Sequence, residues 1–303
     1  SFGVYSKGAV QQYMTMGINR FIVIIVLFCF FFGANAKKKE NDYPLSEIKV
    51  EYTYHYKFLR GSDGVVELDV PFILLANNNQ SKFYCPNTEY KDSLLSTPSG
   101  RAKERELFNA AATAYMETRN PNAMDAVVYH TRIYVTKDFI HSASTTYDKA
   151  GMGELGCYDE PFSDFDWQVV EDSTKTILGY ECIMATTDYH GRMWTVWFTP
   201  EIPLQDGAWK FCGLPGLVME ATETTGQHNF SATGIENCNL PIYPIFCTDY
   251  KKMKRKDMLR AERKYRDNSN AMFKAATGYD LGAEDAPVTE ESKNYDFLET
   301  DYH

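Results

Sequence analysis

The chain has 303 residues, of which 44% are hydrophobic and 24% are charged, and its formal net charge is −10 at pH 7. This composition is that of a globular protein and excludes a disordered or collagen-like chain. The acidic balance argues against a nucleic-acid-binding protein, because contacts to phosphates dominate that affinity.

The first feature along the chain is an apolar stretch with the pattern of a secretory signal peptide, MGINRFIVIIVLFCFFFGANA at 16–36. Arg20 is its positive region, residues 21–32 are its apolar core, and Ala34-Asn35-Ala36 is its cleavage site. The apolar core is shorter than the roughly 20 residues of a membrane-spanning helix. An uncleaved anchor is the alternative that the pattern leaves open.

We therefore predict that residues 1–36 are an upstream extension plus a signal peptide, starting at Met14 or Met16. Residues 37–303 then form an exported protein, periplasmic or secreted, that is not an integral membrane protein after cleavage. We expect this part to be a single β-rich domain.

Alternating aromatic and polar residues predict a first strand over 50–58, VEYTYHYKF. The GSDG at 61–64 predicts a turn, and 65–76 predict a second strand in which Pro71 marks an edge or a bulge. Residues 77–100 are polar and rich in turn-forming residues, which is typical of a loop.

Residues 101–119 are rich in Ala and Glu and contain neither Pro nor Gly, so they predict a helix that ends at the NPN of 120–122. Residues 126–136 again predict a strand, and several strand-like runs follow one another after Phe165.

Between residues 165 and 237, several short β-branched and aromatic runs predict consecutive strands, with turns at EDST (171–174) and YHGR (189–192). Trp194, Val196 and Phe198 share one face of a strand in this alternation.

Residues 249–266 are dominated by Lys and Arg and predict a basic helix, followed by an acidic tail that we expect to be loose. Such a helix is most often a solvated face, and an acidic partner or lipid headgroups are the sharper alternative.

Runs of strands without alternating helices indicate an antiparallel sheet. The predicted fold is therefore mainly β: an antiparallel curled sheet, half-barrel or sandwich with one or two peripheral helices, at about 101–119 and 249–266.

The stretch KFCGLPGLVMEA at 210–221 places a cysteine beside a Gly-Leu-Pro-Gly turn and an apolar run. A phosphate-binding loop needs a helix after its glycines and a lysine, whereas strand-like residues follow here. We therefore interpret the motif as a structural corner between strands. Its members are Cys212, Gly213, Leu214, Pro215, Gly216 and Leu217.

Seven cysteines are present, and six remain once Cys29 is removed with the signal peptide. An even number in an exported protein suggests disulfides, although six cysteines allow fifteen pairings. The predicted pairs are Cys238 with Cys247, Cys182 with Cys212, and Cys85 with Cys157.

No catalytic, metal or cofactor site is readable from the sequence. The GMGELG at 151–156 matches a dinucleotide-binding pattern, but no helix follows it, and the six histidines show no metal-binding spacing. Aromatic side chains on the predicted strands are the candidate binding surface. These are Tyr52, Tyr54, Tyr56, Trp194, Trp197 and Trp209.

The run from Thr176 to Glu223, which contains GYEC, HGR, WFTPEIP and WKFCGLPGL, resembles the signature region of the GLPGLI family of exported proteins from Gram-negative bacteria. Val218 stands where the family motif has Ile. The resemblance implies an exported cell-envelope protein, mostly described as of unknown function and often encoded near outer-membrane receptors. It carries over no catalytic residue.

Three functions remain open at this point. The first is a non-enzymatic envelope binding or accessory protein that holds a peptide, a lipid or a segment of an outer-membrane receptor on a concave aromatic face. The second is a secreted hydrolase, with ligands from distant parts of the chain. The third is a structural component of an envelope complex, docked through the basic helix and the acidic tail.

Overall fold

The computed structural model describes residues 43–59, 64–125, 127–278 and 295–303. The predicted signal peptide lies outside the described residues. The described residues from Leu45 onward belong to one compact unit.

One twelve-stranded sheet dominates the fold, with the strands in the order β12-β6-β5-β4-β3-β2-β1-β11-β10-β9-β8-β7. All neighbouring strands are antiparallel except β12 and β6, which are parallel. The strands are β1 Ile48–Leu59, β2 Val65–Ala76, β3 Gln80–Tyr84, β4 Tyr134–Asp138, β5 Ala143–Lys149, β6 Leu155–Pro161, β7 Gln168–Ile177, β8 Tyr180–Tyr189, β9 Arg192–Thr199, β10 Leu217–Glu223, β11 His228–Asn237 and β12 Lys251–Lys252.

Four α-helices accompany the sheet in the described part of the chain. They are α1 Pro86–Leu95, α2 Pro98–Thr118, α3 Arg255–Asp267 and α4 Ser269–Thr277. The prediction of a mainly β, antiparallel fold with peripheral helices is thus confirmed. Among the described residues, no helix combines the length and apolarity that crossing a membrane requires.

Two hairpins of the sheet turn through residues with positive φ. His190 and Gly191 connect β8 to β9 with φ of 52° and 82°, and Leu178 and Gly179 connect β7 to β8 with 52° and 89°. These values fit the two-residue turns that match the twist of antiparallel strands. The predicted turn at 189–192 is therefore confirmed, whereas the turn predicted at 171–174 is wrong.

Residues 171–174 instead lie inside β7, where the register against β8 shifts between Val170 and Thr174. The shift is a bulge, which interrupts the pairing without reversing the chain. Pro71 lies where only one neighbouring strand pairs with β2. It pairs with Thr53 of β1, while the partner β3 reaches only from Ile73 to Ala76 of β2.

Several elements depart from the sequence-based expectations. The loop predicted over 77–100 contains β3, α1 and the start of α2, and the strand predicted over 126–136 forms only from Tyr134. The basic helix begins at Arg255, because Lys251–Lys252 extend the sheet as β12. The tail predicted to be loose begins with α4, and eight of its residues at 295–302 are buried or half-buried.

The sheet is strongly curled. In sheet order β6 is second and β9 is tenth, so a flat sheet would hold them roughly 38 Å apart. Nevertheless His190, in the β8–β9 turn, lies with its Nε2 atom 2.7 Å from a carboxylate oxygen of Glu160 in β6. Within the described strands β7 and β12 are the two edges, so the curled sheet stays open.

Candidate functional site

The concave side of the sheet is filled by the chain between β9 and β10. We call residues 205–216 the crossing segment. Seven consecutive residues of this segment, Asp206–Cys212, are buried. Its aromatic side chains Trp209 and Phe211 pack against Trp194 of β9 and Phe230 of β11. The crossing segment is therefore part of the hydrophobic core.

The glycines of the GLPG motif serve two different needs. Gly213 is exposed and has a φ of 87°, a conformation that residues with a Cβ rarely adopt. Gly216 is buried, and a Cβ placed on it would lie 2.1 Å from the carbonyl oxygen of Thr199. In the structure the motif forms a tight corner that leads into β10.

Leu214, at the tip of this corner, points into the core and is only 2% exposed. We expect Leu214→Ala to lower the free energy of unfolding by about 2–5 kcal/mol, because a buried side chain of this size leaves a cavity. Urea denaturation measures this change. Pro215→Ala is the matched control, because Pro215 is exposed, and we expect its effect to stay below about 1 kcal/mol. Equal effects of the two substitutions would contradict the buried position of Leu214.

The six aromatic residues predicted to bind a ligand belong to one hydrophobic cluster. Tyr52, Tyr54, Trp194 and Trp209 are at most 5% exposed, so in this structure they offer no surface to a ligand. Tyr56 and Trp197 pack against the same cluster and remain partly exposed. Trp209 belongs to the crossing segment and packs over Trp194 of β9 and Phe230 of β11.

The three predicted disulfides are not formed in the structure, which has all six cysteines as free thiols. Their surroundings explain this difference for the last pair in the chain. The Sγ atom of Cys238 lies 3.1 Å from the hydroxyl of Ser46, whereas that of Cys247 accepts a hydrogen bond from Arg132 at 3.4 Å. Burial also raises the pKa of Cys212 in the crossing segment to about 12, so this thiol is not a nucleophile at neutral pH.

A network of buried charged side chains lies at one end of the crossing segment, and we call it the Lys210 cluster. It consists of Tyr158, Glu160, His190, Lys210, Arg255, Glu299 and Asp301. The Lys210 ammonium donates to Glu160, to Glu299 and, at 3.0 Å, to the hydroxyl of Tyr158. Its three hydrogens are therefore all bonded, and its side chain is fully buried.

The carboxylates of this cluster are neutralised by the protein's own cations. Arg255 donates to Glu299 at 2.7 Å and binds both oxygens of Asp301. Ligand atoms of His190, Glu299 and Asp301 lie within 4.8 Å of one another, which is close enough for a metal ion. A metal would have to displace Lys210 or Arg255, so these residues do not fit an additional cation.

Glu160 of this cluster and His228 of β11 have strongly shifted pKa values. Burial by itself raises the pKa of Glu160, but the adjacent imidazole of His190 and the charge of Lys210 outweigh it and bring the pKa to about 2. Burial, together with the positive charge of Arg192, lowers the pKa of His228 to about 3. His228 is held neutral between the hydroxyl of Tyr54, 2.7 Å from Nδ1, and the carbonyl of Asp296, 3.1 Å from Nε2.

We expect the protein to lose stability as the pH falls below about 6.5. In the unfolded chain His228 takes up a proton near pH 6.5, whereas in the folded protein it stays neutral down to about pH 3. Between these two pH values protonation therefore favours the unfolded state. The stability from Glu160 is complete above its ordinary pKa of 4.5 and is lost as the pH falls toward 2. Each additional proton that the unfolded state binds contributes a slope of about 1.4 kcal/mol per pH unit.

Urea unfolding at a series of pH values measures this dependence. The variant His228→Asn removes the first titration, so its stability should change less than that of the wild type between about pH 6.5 and 4.5. An unchanged slope in this variant would show that His228 is not the group responsible.

The structure also contains a cavity of about 750 Å³, which we call the Arg132 pocket. It lies between the end of α1, the start of α2, the β5–β6 turn, residues 246–249 and Tyr265 of α3. The turn is the GMGELG sequence, whose Gly151 and Gly153 line the wall. A cavity of this volume accommodates a small organic ligand.

The polar groups of the pocket are organised around Asp92. This carboxylate accepts hydrogen bonds from the hydroxyls of Tyr129 and Tyr134 at 2.8 and 2.9 Å and from Arg132 at 3.2 Å. The guanidinium of Arg132 stacks 4.0 Å from the ring centre of Tyr129. Its Nε atom is buried and has no hydrogen-bond partner in the structure.

Two further cations, Arg101 and Lys149, are exposed and line the same pocket. The carboxylates of Glu154, which pairs with Lys251, and of Asp249 also belong to its lining. The aromatic rings of Tyr129, Phe246 and Tyr265 contribute the apolar part of its wall. Cationic and aromatic groups in one cavity suit a ligand that has both an anionic group and an apolar body.

Residues 187–220 match a protein family that is described as a protein of unknown function (Porph_ging). This range includes the β8–β9 turn, β9 and the crossing segment. No curated protein matches the sequence.

Three solved structures are examples of structural similarity to this chain. The structure of PNGF-II aligns with a TM-score of 0.47 and 12% identity, over 72% of this chain and 34% of that chain. The complex of Pseudomonas aeruginosa MucA/MucB aligns with 0.29 and 9%, over 69% and 57%. A putative outer membrane lipoprotein-sorting protein domain from Vibrio parahaemolyticus aligns with 0.23 and 6%, over 70% and 89%. This chain therefore spans about a third of PNGF-II, and at these TM-scores the alignments support no functional assignment.

Proposed function

We propose that the protein is an exported binding protein of the cell envelope and that it holds a small anionic ligand in the Arg132 pocket. The observation that carries the proposal is the pocket itself, which combines a volume of about 750 Å³ with aromatic rings, two exposed cations and the buried, unpartnered Nε atom of Arg132. The concave face of the sheet does not offer a comparable site, because the crossing segment fills it.

The cellular location in this proposal rests on the sequence. The pattern of residues 14–36 favours export, and the motifs from Thr176 to Glu223 support membership of the GLPGLI family. That resemblance also supports a link to an outer-membrane receptor, as an accessory protein. The hydrolase and the structural-component alternatives have no specific observation in their favour in the described part of the chain.

Binding of anilinonaphthalene sulfonate, an aromatic anion with environment-sensitive fluorescence, tests the pocket. We expect the wild-type protein to bind it, and Arg101→Gln or Lys149→Gln to weaken binding by roughly fivefold, because each removes an exposed positive charge from the wall. Both side chains are exposed, so the substitutions should leave the fold intact.

Lys103→Gln is the matched control. Lys103 is exposed on α2, pairs with Glu106 and does not line the pocket. An equal loss of affinity in this variant would mean that the probe responds to overall charge. The absence of binding to the folded wild type would overturn the assignment of the pocket to aromatic anions.

A further inference from the structure

The nine residues 295–303, YDFLETDYH, lie against the body of the protein as a bound peptide would, and we call them the acidic segment. They belong to none of the twelve strands. Phe297, Leu298 and Tyr302 are buried, and the backbone amide of Thr300 donates to the carbonyl of His190 at 2.8 Å.

Side chains of the body bind the backbone of the acidic segment at three carbonyl groups. Arg192 donates two hydrogen bonds, at 2.9 and 2.6 Å, to the carbonyl of Phe297. Gln227 donates to the carbonyl of Asp296 at 3.0 Å, and Arg260 of α3 donates to that of Tyr302 at 2.8 Å. Contacts of this kind hold an extended chain whatever its side chains are.

The charged side chains of the segment form ion pairs with the body. Its carboxylates at Asp296, Glu299 and Asp301 meet cations of the body, which are Arg263, Lys210 and Arg255. The guanidinium of Arg266 lies 4.0 Å from the ring centre of Phe297. Four of the side chains that bind the segment belong to α3, and the basic helix therefore presents one face to an acidic peptide. They are Arg255, Arg260, Arg263 and Arg266.

We propose that this groove is a recognition site for an acidic, aromatic-containing segment of a partner protein, and that the acidic segment is its internal occupant until the partner displaces it. Arginine pairs for carboxylates, a cation over an aromatic ring and side-chain donors for carbonyls are the chemistry that such a segment requires. The proposal goes beyond small-ligand binding and does not depend on the Arg132 pocket.

The test uses the full chain and a fluorescein-labelled synthetic peptide with the sequence of residues 295–303, followed by fluorescence anisotropy. The internal segment competes with the peptide, so the apparent affinity is reduced by the fraction of molecules in which the groove is open. We expect weak binding to the wild type. The double variant Glu299→Gln, Asp301→Asn should bind the peptide roughly tenfold tighter, because its internal occupant has lost charged hydrogen bonds.

Substitutions in the groove should have the opposite effect. Adding Arg255→Gln to the double variant should remove the roughly tenfold gain, because Arg255 binds two of the peptide's carboxylates. Lys256→Gln, exposed on the same helix, is the matched control and should leave the gain unchanged. A peptide with amides in place of its three carboxylates should not bind.

Three results would overturn the proposal. One is a folded double variant that binds the peptide no more tightly than the wild type, and another is binding that Arg255→Gln does not affect. The third is a dimer of the double variant that the peptide cannot dissociate, which would assign the groove to a second copy of the chain.

If the variants do not fold, hydrogen exchange of the wild type tests whether the acidic segment leaves the groove. We expect the amide of Thr300 to exchange faster than the amides of β9, through local opening of the segment. If the amide of Thr300 exchanges only by global unfolding, the acidic segment is a permanent part of the core. This result would overturn the proposal.

Discussion

Replacing Lys137 with methionine is expected to lower the free energy of unfolding by about 3–5 kcal/mol. Lys137 reaches from β4 to the crossing segment, where its ammonium pairs with Asp206 and donates to the carbonyls of Gly207 and Phe211 at 2.9 and 3.1 Å. Both side chains of the ion pair are 0% exposed. Without the lysine, the carboxylate of Asp206 would remain buried and uncompensated.

The double variant Lys137→Met, Asp206→Asn separates the charge from the packing. It removes both charges, so we expect it to be more stable than Lys137→Met alone. Urea denaturation of the wild type, both single variants and the double variant completes the cycle. A double variant as unstable as the sum of its parts would show that the pair does not act as a unit.

The substitution Gly216→Ala is expected to cost about 3 kcal/mol or more, although it adds a single methyl group. The new Cβ would lie 2.1 Å from the carbonyl oxygen and 2.6 Å from the carbonyl carbon of Thr199. These are backbone atoms at the end of β9, so no side-chain rotation relieves the clash. Strand β10, which begins at Leu217, would have to move away from β9.

Gly213→Ala, in the same motif, is the matched comparison. Its Cβ would meet only the indole nitrogen of Trp167, at 3.9 Å, so the cost comes from the positive φ and should be about 1–2 kcal/mol. Chemical denaturation of both variants ranks the two effects. A larger loss for Gly213→Ala would contradict the close approach of Gly216 to β9.

The sheet was predictable because local alternation determines it. Tyr52 and Tyr54 alternate with Thr53 and His55, and this pattern places the two tyrosines on one buried face of β1. The same alternation does not reveal what covers that face. A ligand and another part of the chain bury aromatic side chains equally well, so the sequence alone supported a binding surface where the structure has the crossing segment.

The Lys210 cluster and the Arg132 pocket were not predictable, because their members come from distant parts of the chain. Glu160 and Glu299 meet at Lys210 only after the sheet has curled. One local signal did exist. Lys210 is a single charge within the run AWKFC, and a lysine among buried aromatic residues indicates a paired, buried ammonium. No comparable signal marks Arg132.

The bulge in β7 has a consequence for the behaviour of the protein at high concentration. As an edge of an open sheet, β7 presents unpaired backbone groups together with the exposed side chains of Val169 and Val170. A flat apolar edge of this kind recruits strands from other molecules. Here the register shifts directly after Val170, and Glu171 and Asp172 place two negative charges in the interruption. The irregularity therefore acts as a barrier to edge-to-edge aggregation.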